Sequence, residues 1–111
     1  MRTIKELSAH TKAGKAIIEK YNFIQGRTLD SVYGKYSAEK KASFDEVREE
    51  AEELSEKHPI LGFHICSANV YQFTIGFVER NSINHFCTVH YYTKDTHYIV
   101  YGAYRDDLLF L

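Results

Sequence analysis

The stretch Pro59-Ile60-Leu61-Gly62-Phe63-His64-Ile65-Cys66 changes the periodicity of the chain from helical to alternating. Leu61, Phe63 and Ile65 alternate with Gly62, His64 and Cys66, and Tyr71, Phe73, Ile75 and Phe77 alternate with Gln72, Thr74 and Gly76. Successive side chains of a strand point to opposite faces, so a period of two predicts half-buried strands. Two more β-branched and aromatic runs follow, 85–92 and 97–104. The connecting residues are turn-like: Ser67-Ala68-Asn69, Glu79-Arg80-Asn81-Ser82 and Lys94-Asp95. Connections this short join antiparallel neighbours, which predicts a four-stranded antiparallel β-meander.

Upstream of Pro59 the period is helical. Ser37 is a good N-cap, and Phe44, Val47, Ala51, Leu54 and His58 share one sector of a helix that Pro59 stops. Nearer the start, Thr3 and Glu6 fit a capping box, followed at helical spacing by Ile4, Leu7, Thr11, Gly14, Ile18 and Tyr21. Gly14 within that helix costs about 1 kcal/mol relative to alanine. Residues 22–36 read as a loop with a helical turn at 28–33. The expectation is a single α+β domain over 1–111, two main helices packed on the meander. Its helical half is 1–58, its β half 60–104, and its apolar C-terminal tail 105–111.

The chain's 111 residues, 44% hydrophobic and 26% charged, suit one globular domain. The longest apolar runs are four residues, Tyr98–Tyr101 and Leu108–Leu111, too short to cross a bilayer. Met1-Arg2-Thr3-Ile4-Lys5-Glu6 lacks the apolar stretch of a signal peptide, and two cysteines make no disulfide framework. A cytoplasmic protein is expected. The net charge of -1 conceals an asymmetry: residues 1–36 hold seven Lys/Arg against three acids, and 37–58 hold eight acids against four bases.

With tight turns, Ile65 faces Tyr71, Phe77 faces Phe86, and Tyr92 faces Tyr98. One face then carries Leu61, Phe63, Ile65, Tyr71, Phe73, Ile75, Phe77, Phe86, Val100 and Tyr104, and receives the second helix. The other face carries an apolar patch, Val89, Tyr91, Ile99 and Tyr101. Either the first helix or the tail Leu108–Leu111 covers that patch, or it is a partner or homodimer surface. A slip of one residue would exchange the faces.

His64/Cys66 and His85/Cys87 offer N and S donors, yet no CxxC or HxxxH spacing exists. The first and third strands are second neighbours, about 9–10 Å apart, too far to share an ion. No metal or other cofactor is expected. Cys87 lies at no recognisable nucleophile elbow, and GxSxG, Walker and Rossmann patterns are absent. The chain does not read as an enzyme. By contrast, Asp45, Glu49, Glu52, Glu53 and Glu56 project away from the apolar sector of the second helix, with like charges at i,i+4. They are the candidate binding face for a basic protein surface. Lys5, Lys12, Lys15, Lys20, Arg27 and Lys35 supply the alternative, a nucleic-acid contact, although the aromatic sheet half contributes few bases.

Leu29-Asp30-Ser31-Val32-Tyr33-Gly34-Lys35-Tyr36-Ser37-Ala38-Glu39-Lys40, followed downstream by Ser67-Ala68-Asn69-Val70-Tyr71-Gln72-Phe73-Thr74, resembles small accessory proteins of tailed bacteriophages. The resemblance covers residues 29–78 and brings no catalytic residue with it. It implies a protein that binds and inhibits a host protein, restriction or CRISPR machinery included, in the bacterial cytoplasm.

Overall fold

The computed structural model describes residues 3–20, 22–25, 45–58, 60–67, 73–80, 86–93, 95–104 and 109–110. The elements are β1 (Thr3–Ser8), α1 (Lys12–Lys20), β2 (Asn22–Gln25), α2 (Asp45–Lys57), β3 (Ile60–Ser67), β4 (Phe73–Arg80), β5 (Phe86–Tyr92), β6 (Thr96–Tyr104) and β7 (Leu109–Phe110). The strands form one sheet in the order β1-β6-β5-β4-β3-β2-β7. Neighbours from β2 through β6 pair antiparallel, whereas β1 runs parallel to β6 and β7 parallel to β2.

This mixed sheet corrects the expected four-stranded antiparallel meander, although the chain is α+β. The difference starts at the N-terminal segment. Thr3–Ser8 is a strand, not the first turns of a helix, because its backbone completes the open edge of β6 from Thr3↔Thr96 to Ser8↔Tyr101. Ala9 N–H extends the contact, donating to the Tyr101 carbonyl at 2.8 Å. The helix starts only at Lys12, capped by Thr11, whose Oγ1 accepts the Gly14 N–H at 3.1 Å. The chain leaves β1 at one edge of the sheet, crosses a face through α1, and re-enters as β2 near the other edge. The expected turn at 28–33 and the Ser37 cap lie outside the described residues.

Two irregularities decide which side chains share a face. A register shift between Ile60 and Gly62 turns Leu61 away from Phe63. A second shift lies between Cys87 and Val89 on β5, opposite Gly102, which has φ 78°. The extra residue on β6 is a bulge, and a glycine supplies the left-handed conformation it needs. Upstream of it, Val89 pairs with Val100 and Tyr92 with His97, one residue away from the tight-turn expectation.

The sheet consequently has helices on opposite faces. On one, Ile18 of α1 packs with Ala9, Phe23, Val78, Cys87, Val89, Tyr91, Val100 and Ala103. On the other, α2 lies against β3 and β4, over the face that buries Phe63, Ile75 and Phe77. Each fully buried side chain of this size contributes roughly 1.5–3 kcal/mol of transfer free energy. The expected patch does not form: Val89 and Tyr91, 0% and 1% exposed, lie beneath α1, while Ile99 and Tyr101 lie on the opposite face. Val100, expected on the α2 face, is in the α1 core.

Tyr101 is 46% exposed, and its hydroxyl donates to Glu6 Oε1 at 3.2 Å. Its partial burial pushes the phenol above its ordinary pKa, reinforced by the hydrogen bond to Glu6 and the negative charges of Glu6 and Glu79. Among the described residues no helix is long and apolar enough to cross a membrane.

Candidate metal centre

Among the described residues, the α2 face of the sheet carries four buried polar side chains: Glu79, Thr88, His90 and His97. Burying such groups is costly unless they are paired, and three of them form one chain. His90 Nε2 lies 2.7 Å from Glu79 Oε2, and His90 Nδ1 lies 3.1 Å from His97 Nε2. At the other end, Glu79 Oε1 lies 3.6 Å from His58 Nε2, at the end of α2. A carboxylate only accepts hydrogen bonds, so His90 Nε2 carries the proton given to Glu79. In a neutral His90 that tautomer leaves a lone pair on Nδ1, and the contact to His97 then needs a proton on His97 Nε2, which an ion bound at both nitrogens would displace.

Cross-strand packing holds the two rings. Phe77 opposes His90 on the neighbouring strand and stacks on it, with centroids 4.6 Å apart and planes 9° from parallel. Tyr92 opposes His97 and stacks on it at 4.0 Å and 14°. His90 and His97 are thus diagonal neighbours on β5 and β6. The register one residue off the tight-turn value is what brings them together.

From above, α2 contributes Glu50. It stands beside Ala51, which is 1% exposed, and Glu50, Leu54 and His58 recur every four residues along the inward stripe. One ligand atom each from Glu50, His90 and His97 lies within 4.8 Å of the others. Two imidazoles and a carboxylate are a donor set for a divalent first-row transition ion, with positions left open. The two ring nitrogens lie 3.1 Å apart, close enough for one ion to be held by both. Glu79 completes the arrangement from behind: a carboxylate on the far nitrogen of a ligating histidine fixes its tautomer and raises its basicity. Two acidic side chains beside two imidazoles make a site that suits a cation.

The residues singled out in the sequence fall elsewhere. Glu49, Glu52, Glu53 and Glu56 are exposed on α2; Asp45 starts the helix, its side chain outside the described residues. Lys5, Lys12, Lys15 and Lys20 are exposed on β1 and α1, while Arg27 and Lys35 lie outside the described residues. Cys87 is buried in the α1 core, and β4 separates His64 on β3 from β5. Glu50, His90 and His97 were not among the candidates. The available signal was His90 and His97 flanking one tight turn, with Glu79 on the adjoining strand. Spacing along single strands, which pairs histidines with cysteines, does not contain it.

Comparison with protein-family models, curated proteins and solved structures finds no match to this chain.

Proposed function

We propose that this chain binds one divalent first-row transition-metal ion through Glu50, His90 and His97, with Glu79 positioning His90. The observation that carries this reading is the convergence of three donor atoms from α2, β5 and β6 within 4.8 Å. Equilibrium dialysis of chelator-treated protein against Co(II), read by elemental analysis, tests it. The expected result is one ion retained per chain with micromolar or tighter affinity; no saturable retention overturns the reading. Imidazole donors favour Co(II), Ni(II) or Zn(II) over Mg(II) and Ca(II), which take oxygen ligands.

A second reading concerns what the metal-bearing domain contacts. Glu49, Glu52, Glu53 and Glu56 are exposed while Glu50 turns inward, which leaves an acidic face for a basic partner surface; the inhibition of a host protein by a phage-type accessory protein rests on the sequence resemblance alone. Replacing Glu49, Glu53 and Glu56 with lysine leaves Ala51 and Leu54 in place, so stability changes by only about 1 kcal/mol. Affinity for a partner recovered from bacterial lysate falls much further, because opposed like charges cost several kcal/mol at an interface. Unchanged affinity at equal thermal stability sinks this role. A micromolar, salt-sensitive complex with DNA or RNA would instead favour the nucleic-acid alternative.

A further inference from the structure

We infer that the metal ion acts as a clamp on α2, so that its binding selectively orders this helix against the sheet. The inference rests on the metal-site reading and adds its consequence for the fold. Of the three ligands, His90 and His97 belong to adjacent strands of the continuous sheet, whereas Glu50 belongs to α2. An ion shared among them is therefore a cross-link between two layers.

Among the described residues of α2, the exposed positions outnumber the buried ones. Ala51 is buried and Leu54 half-buried, but Glu49, Glu52, Glu53, Ser55, Glu56 and Lys57 are all exposed. The pairs Glu49/Glu53 and Glu52/Glu56 set like charges four residues apart, which weakens the isolated helix. Two polar side chains also face the sheet: Glu50 toward the histidine pair, and His58 toward Glu79. Without a cation, Glu50 brings a second carboxylate toward a site that already holds Glu79 against His90. A dication converts that repulsion into two attractions. Local opening of an element is suppressed by mass action when a ligand binds only the closed form.

Hydrogen–deuterium exchange on the full chain, with and without saturating Co(II), tests the clamp. The expected result is that amides of residues 45–57 exchange about tenfold or more slowly with metal, while those of α1 change much less. In Glu50→Gln at saturating metal, the selective protection of α2 is lost. Retained metal with no change in α2, an equal slowing of both helices, or full protection in Glu50→Gln overturns the clamp while leaving metal binding intact. Failure to retain any metal overturns the clamp and the metal-site reading together. The comparison with and without metal on the unmodified chain needs no variant to fold.

Discussion

His97→Ala lowers the affinity for Co(II) by at least about 100-fold, since it deletes one of three donors and leaves no histidine across the turn from His90. Glu79→Gln produces a smaller loss, about 10–100-fold, characteristic of removing the carboxylate behind a ligating histidine. The amide still accepts the His90 Nε2 proton, so the difference isolates the charge of Glu79 from its geometry. Because His97 is buried against Tyr92, alanine also opens a cavity. His97→Gln, closer in volume, keeps the comparison at matched thermal stability. Dialysis on all three variants checks the order, and equal affinities in wild type and His97→Ala would remove His97 from the site.

Gly14→Ala destabilises the fold by about 3 kcal/mol, with a fall in Tm on the order of 10 °C. Helix propensity alone predicts the opposite, a gain of about 1 kcal/mol from removing a glycine. The structure reverses the sign because a Cβ at position 14 would overlap the Ser8 carbonyl oxygen and lie 2.9 Å from the Ser8 carbonyl carbon. Both atoms are backbone, held where β1 turns into α1 by Thr11, whose N–H and hydroxyl donate to that same carbonyl at 3.1 and 2.7 Å. No side chain can swing aside to make room. Thermal and denaturant unfolding decide between the two signs, and a stabilised Gly14→Ala would contradict the β1–α1 packing described here.

These two residues show how far the sequence could be read. The period of two after Pro59 marks β3 to β6, since alternation survives any register. The inward stripe Ala51-Leu54-His58 marks the helix that covers them. Thr3–Ser8 misled because TIKELS offers both a capping box and β-branched residues. The choice lay with the open edge of β6, some ninety residues away, which no local pattern contains. The two faces of the sheet were likewise set by single inserted residues, at Leu61 and near Gly102. A glycine inside a strand is consistent with a bulge without specifying one. The same insertion that separated Val89 and Tyr91 from Ile99 and Tyr101 aligned Tyr92 with His97. The absence of the expected patch and the meeting of His90 with His97 thus have one cause.

An anomalous-difference map from a crystal of the Co(II)-loaded chain tests the central claim most directly, because it locates the ion without reference to affinity or stability. The account predicts one strong peak among Glu50, His90 and His97, about 2.1 Å from His90 Nδ1 and His97 Nε2, with Glu79 on the opposite nitrogen of His90. A peak only at exposed histidines such as His10, or none at all from protein that retained the ion in solution, would contradict it.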